Sequence, residues 1–401
     1  MKHSSDQGDE HKQAPANLDG GLADHEKLNV CFVLPNLQIK SPIETKFVGI
    51  LPDTDPRVTE IAKRSNAVRI LVNGFFDRRG SKCHVSVMVV HKDAPKTVLN
   101  DVALVSFRNC FAISCVLKSW AFSIGSPNSI GTRFSDYFDF YPFSPTRDGA
   151  NLLHMGYALN TIESPNGFQG QTYPELPAID KNFHLHTTHD EEIFDLLRKA
   201  WVERFEKGRK TWRANKLFRS LAIAYHACSL PKKNSLWFYD FGVSVALWIS
   251  AFEILAHPGP SGKSDLTTVL DLLSKIRFSG STTKRRRRFR FRGRVQNGNA
   301  AEYLYWRLYD SRNAFLHGNP ATVHTALYKS RKRHSLLTSV APVLYALALL
   351  CHFHWLNTPS KVKHVGGVGS FLQIYSKRYF TKSRLEKALK HILTGEDRRL
   401  M

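Results

Sequence analysis

The chain has 401 residues, of which 42% are hydrophobic and 23% charged, and this excludes a collagen-like or wholly disordered chain. Lys and Arg number 57 against 34 Asp and Glu, a formal charge of +23, so the natural partners are polyanions: nucleic acid, an acidic membrane surface or an acidic protein. The six cysteines are scattered with no C-x-x-C pair, which argues against a disulfide framework or a zinc site and fits reduced thiols in a cytoplasmic protein.

Residues 1–27 are polar, lack the apolar core of a signal peptide, and read as a disordered tail. From Leu28 the texture becomes short runs broken by Pro, Gly or Asp. The runs Asn29–Leu34, Lys46–Leu51, Ala67–Val72, Cys83–Val90 and Val102–Phe107 read as strands, with one helix near Phe111–Trp120. Residues 124–180 are rich in Pro, Gly, Ser, Asn and aromatics and read as loops and irregular strands. Residues 28–185 are thus expected to form a β-rich N-terminal domain that carries no motif of known chemistry.

The pattern changes at Thr188. Thr188 and Glu191 fit a capping box, acidic residues fill the first turn, and Ile193, Leu196, Leu197 and Trp201 follow at helical spacing. Further helices are expected at 211–229, 236–257, 265–277, 300–317, 322–356 and 380–394. Two apolar stretches, Phe241–Ala256 and Ser339–Leu356, are short for a membrane span and read as core helices, so no membrane partner is expected. The fold class expected is α+β: the β-rich domain, then a helical bundle over 188–357, then a basic helical extension over 358–401.

Within the bundle, Lys284–Arg294 reads KRRRRFRFRGR. Its basic residues are Lys284, Arg285, Arg286, Arg287, Arg288, Arg290, Arg292 and Arg294, with Phe289 and Phe291 interleaved. Between two helices this predicts an exposed, mobile loop that grips RNA: Arg pairs with phosphate and Phe stacks on unpaired bases. The bland reading is a solvated basic loop, or a nuclear localisation signal in a eukaryotic cell.

Tyr303–Asn319 forms the site-bearing helix. Gly318 and Pro320 stop it, which puts His317 in its last turn, where the helix dipole favours imidazolium and suits acid–base work. Asn313 lies four residues before His317, on the same face, and is expected to orient the ring. Arg312 lies five before it, about 140° around the helix, so one isolated helix does not focus Arg and His on one point. Either the Arg side chain wraps round, or two copies of the helix meet across a symmetric dimer.

The segment Tyr309-Asp310-Ser311-Arg312-Asn313-Ala314-Phe315-Leu316-His317-Gly318 resembles the signature of HEPN domains, in its Apea-like variant. Ala246–Leu255, which carries Glu253, resembles that group's earlier Glu-bearing helix, and the similarity covers about residues 190–356. The resemblance implies a metal-independent endoribonuclease of defence or toxin systems, acting as a homodimer with no cofactor and restrained by a regulatory partner or antitoxin. It equally admits a non-catalytic RNA-binding or sensor protein. In the catalytic reading His317 is acid or base, Arg312 stabilises the scissile phosphate, Asn313 orients one of them, and Glu253 holds Arg312 or His317 by a charged hydrogen bond.

Two weaker motifs carry little. His184, His186 and His189 are dense but lack a further ligand, in a chain with 18 histidines, and no metal is expected. Pro258–Ser264 ends like a Walker loop but lacks its first Gly and follows a helix, so it reads as a turn. No serine-hydrolase or zincin signature occurs.

Overall fold

The structure is a computed structural model. It describes residues 25–34, 39–76, 84–124, 188–230, 237–317, 320–330, 334–354 and 368–395, a few isolated positions, and short strands between 131 and 177. His184 and His186 lie outside the described residues, as does most of the expected tail 1–27. Within that tail Leu22 is buried and His25–Lys27 forms one tight 3-10 turn, so both depart from the disordered reading.

The fold is mixed α+β. Strands β1 (Leu28–Leu34), β2 (Ile43–Glu44), β3 (Val48–Pro52) and β4 (Ser86–His91) form an antiparallel sheet in the order β1-β4-β3-β2. Side chains alternate between its two faces, and both faces are buried. Val33, Leu51, Val87 and Val89 pack under helices α1 (Pro56–Arg64) and α2 (Asn66–Asn73). Phe32, Leu34, Val48, Ile50, Met88 and Val90 face the remaining helices. A register shift between Val30 and Phe32 in β1 is the bulge at which this pairing is reset.

Two expected strands are helices. Ala67–Val72 falls in α2, because Ser65 accepts from the Val68 amide and starts a new helix where α1 ends. Val102–Phe107 falls in α3 (Asp101–Ser123), capped by Asn100, whose side chain accepts from the Ala103 amide at 3.0 Å. These apolar, β-branched runs carry the period of neither element clearly, and the caps decide them. The N-terminal part is therefore less β-rich than its composition suggests. Residues 131–133 pair with 175–177, and 143–145, 152–154 and 161–162 form a second small antiparallel sheet.

Helix α3 is long and apolar enough to cross a membrane by length and composition, yet 78% of its apolar window is buried here. It packs on α4 (Glu191–Trp201) through Phe107, Phe111, Phe194 and Trp201, and the Trp201 indole donates to the Ala103 carbonyl at 2.8 Å. The cap of α4 is Asp190, which accepts from the Ile193 amide, and not Thr188. A short π-turn (Val202–Glu206) follows α4.

Next come α5 (Trp212–Ser229), α6 (Trp237–Ala256), α7 (Leu266–Ser274) and α8 (Ser281–Lys284). They are followed by α9 (Ala300–Leu316), α10 (Val323–Ala326), α11 (Leu337–His352) and α12 (Val368–Thr394). The expected helix 322–356 is broken. After α10, residues Leu327–Lys329 and His334–Leu336 pair as a small hairpin before α11 begins. Helix α12, in turn, starts earlier than residue 380. Tyr345 anchors the centre of the bundle, edge-on to Trp248 and Phe252, with its hydroxyl 2.5 Å from Ser220 Oγ. One continuous hydrophobic cluster runs from the sheet through α3 into this centre. The five cysteines among the described residues are all unpaired.

Candidate nucleic-acid interface

Helix α9 is fixed at its start by a complete capping box. Asn299 accepts from the Ala301 and Glu302 amides, and Glu302 accepts from the Asn299 amide at 2.7 Å. The Asn299 amide group also donates to the Leu273 carbonyl at 3.1 Å, tying α9 to the end of α7. One face of α9, with Leu304, Tyr305 and Leu308, is buried. Tyr305 sits 5.0 Å from Phe252 of α6, and Phe315 lies 5.6 Å from Phe241. At that crossing a Cβ on Gly242 would stand 2.7 Å from Phe315, so the approach requires glycine.

A second face of α9 carries the arginine-rich segment, which is a β-hairpin and not the mobile loop expected. Strands β5 (Arg287–Phe291) and β6 (Arg294–Gly298) pair in register from Arg287 with Gly298 to Phe291 with Arg294. The turn is Arg292-Gly293, with φ of 47° and 75°, the double left-handed geometry of a type I′ turn. Alternation sorts the side chains. Arg287, Phe289 and Phe291 turn inward, and Arg288 and Arg290 turn to solvent. Phe289 is buried and stacks on Trp306 of α9, centroids 5.5 Å apart and planes 26° apart. It is therefore unavailable to stack on a base. The Arg292 guanidinium sits 5.0 Å over the half-buried Phe291 ring.

The basic residues divide accordingly. Arg287 donates to the carbonyls of Arg285 and Thr282, and burial pushes its pKa down, so it is a brace of the hairpin. Lys284, Arg285, Arg286, Arg288, Arg290, Arg292 and Arg294 are exposed, a concentrated positive surface. Arg286 is turned to the Asn297 carbonyl, and Arg292 approaches Asp265 at 3.9 Å. The base of the hairpin is held by Glu386 of α12. Its carboxylate accepts from the Ser279 amide at 2.8 Å, from the Gly280 amide, and from the Thr283 hydroxyl at 2.6 Å.

At the C-terminal end of α9 the expected site residues separate. Arg312 is half-buried, lies 5.7 Å over the Tyr309 ring, and donates from Nη1 to Asn313 Oδ1 at 3.2 Å. His317 is exposed at the C-cap, where its backbone amide donates to the Asn313 carbonyl at 3.1 Å. Among the described residues no side-chain hydrogen bond joins Asn313 to the His317 ring, so Asn313 is engaged with Arg312 instead of orienting the imidazole. Glu253 forms no ion pair with Arg312 or His317 among the described residues. Burial raises the Glu253 pKa, and attraction from Arg312 opposes the rise. Glu253 thus acts on Arg312 through space, without the hydrogen bond expected. One chain brings together Arg312 and Asn313 and leaves His317 apart.

A cleft of about 370 Å³ opens beside them, lined by Arg307, Asp310, Asn313 and Ala314 of α9 and by Pro320, His324 and Thr325. Arg307, Asp310, Asn313 and Ala314 recur at helical spacing, a stripe visible in the sequence once the helix is assigned. His324 reaches the same cleft only through the fold, and no motif marks it.

No family model matches the chain, and neither a curated protein nor a solved structure does.

Proposed function

We propose that the protein binds single-stranded RNA on the arginine hairpin and cleaves it as a metal-independent endoribonuclease of HEPN type, in a cytoplasmic defence or toxin setting. The observation that carries this reading is the stacking of Phe289 on Trp306. It anchors the exposed arginines on the same helix that bears Arg307, Arg312, Asn313 and His317. A polyanion lying on the hairpin is thereby led toward the end of α9.

Cleavage needs little machinery. The RNA 2′-oxygen attacks the adjacent phosphorus, and the bond from phosphorus to the 5′-oxygen breaks. A base takes the 2′-hydroxyl proton and an acid returns one to the leaving 5′-oxygen. Arg312 stabilises the charge gathering on the phosphate, and His317 moves the proton. Asn313 holds the guanidinium through its Oδ1. Because His317 stands apart from Arg312 within one chain, the working site in this reading joins two copies of the α9 end across a homodimer. Leu316, which precedes His317 in the chain, and Val323, each 50% exposed, supply apolar surface for that contact.

The same separation favours a second reading, an RNA-binding or sensor protein without catalysis. The two are told apart by incubating the protein with total RNA in excess EDTA, beside Arg312→Ala and His317→Ala. Cleavage that both folded variants lose supports the first reading. Binding without cleavage favours the second.

A further inference from the structure

The cleft between α9 and α10 combines residues that a phosphate-gripping surface does not need. Asp310 is exposed, carries negative charge in a strongly basic protein, and makes no hydrogen bond or ion pair among the described residues. Beside a bound polyanion a carboxylate repels the phosphates, and donors on the ligand offset that repulsion. Asn313 stands three residues on, one turn along the same stripe. Its Oδ1 is taken by Arg312 at 3.2 Å, its NH₂ group is not used by that bond, and the residue lines the cleft.

Two adjacent acceptors and one donor form a specific complement. The Watson–Crick edge of guanine presents N1–H and N2–H donors beside an O6 acceptor. The Asp310 carboxylate accepts the first two, and the Asn313 amide donates to the third. Adenine, cytosine and uracil each present a single donor group on that edge and leave a carboxylate oxygen unmatched. Arg307, on the rim of the same cleft, suits the adjoining phosphate. A volume of about 370 Å³ lies at the small end of the range of roughly 300 to 1,000 Å³ for ligand pockets, in keeping with one nucleotide unit.

We propose that this cleft is a guanine-reading subsite that seats one unpaired base of the bound RNA through Asp310 and Asn313. The proposal rests on the RNA-directed reading above and adds a specificity to it. Unpaired bases are the usual targets of sequence-specific RNA recognition, since their Watson–Crick edges are open. His324, lining the opposite wall, closes the cleft from the α10 side.

The test is equilibrium binding to the full-length protein, without any cleavage readout. The probes are GMP, IMP, AMP, CMP and UMP, together with the pentanucleotides UUGUU and UUUUU. GMP is expected to bind at least about tenfold more tightly than IMP, which lacks only the N2 amine, and than the other three. Asp310→Asn, at an exposed position, is expected to erase that preference with an unchanged unfolding temperature. UUGUU is expected to bind more tightly than both UUUUU and GMP, because its phosphates add contacts to the hairpin. Equal binding of GMP and IMP overturns the subsite, as does a guanine preference that survives in Asp310→Asn. GMP binding as tightly as UUGUU overturns RNA as the source of the base. Failure of RNA cleavage in the same preparation speaks against the endoribonuclease reading alone, since the guanine preference is measured by binding.

Discussion

Phe289 of the arginine hairpin is stacked on Trp306 of α9, with ring planes 26° apart, and Gly298 on the opposite strand leaves the room for it. A Cβ at Gly298 would stand 2.9 Å from the Phe289 ring and 2.8 Å from Glu302 Cβ. Packing that tight makes the hairpin part of the folded core and holds its arginines at fixed positions.

Truncating the anchor is therefore expensive. Phe289→Ala is expected to lower stability by about 3 kcal/mol, and Gly298→Ala by about 1 to 3 kcal/mol through overpacking. Denaturant unfolding monitored by Trp fluorescence reads both. Losses under about 0.5 kcal/mol, typical of surface changes, contradict the packed hairpin.

Exposed and braced arginines are expected to differ in kind. For single-stranded RNA, each phosphate contact contributes about 0.7 to the slope of log affinity against log salt. Arg288→Ala with Arg290→Ala should thus reduce the slope by about 1.4 with stability unchanged. Arg287→Ala should reduce stability with little change in slope, because its guanidinium is spent on the Arg285 and Thr282 carbonyls. Binding titrations across a salt series check this.

Glu386 reaches across from α12 to the base of the hairpin. Glu386→Gln keeps the shape and removes the charge that accepts from Ser279, Gly280 and Thr283. The expected loss is about 1 to 3 kcal/mol, within the range for charged hydrogen bonds, with faster trypsin cleavage within 284–294. An unchanged digestion pattern would show that α12 does not secure the hairpin.

Acid should destabilise the bundle through His352. Its ring is buried, Nε2 has no hydrogen-bond partner among the described residues, and burial, with Arg213, Lys216 and His354 nearby, lowers its pKa to about 3 against the opposing backbone hydrogen bond at Leu255. Its folded pKa lies below the unfolded value of about 6.5, so below that pH the unfolded chain binds a proton that the folded chain refuses, and stability falls. Between pH 7.5 and pH 5 the expected contribution is about 2 kcal/mol. His352→Gln should flatten the stability–pH curve in that window, and an unchanged slope refutes the assignment.

Much of the helical half was legible in the sequence. Helices α5, α6 and α9 begin and end within a residue or two of their expected bounds, because Thr211 and Asn299 cap two of them and apolar periodicity is long in each. The hairpin was missed because charge density in Lys284–Arg294 outweighed a period-two alternation, Arg288-Phe289-Arg290-Phe291, and the turn signal of Gly293. The angular argument sets Arg312 and His317 on different faces, and among the described residues no hydrogen bond joins their side chains. The engagement of Asn313 by Arg312 was not legible, since it depends on a rotamer, and neither was His324, which enters the cleft through tertiary packing alone.

The central claim is that the α9 end cleaves RNA by transfer to the 2′-oxygen. The most direct test is the chemistry of the new 3′ ends after incubation with RNA in excess EDTA, read by mass spectrometry. The account predicts 2′,3′-cyclic phosphates facing 5′-hydroxyl ends, absent with folded His317→Ala and Arg312→Ala. New ends bearing a 3′-hydroxyl, or cyclic phosphates undiminished in both variants, would contradict it.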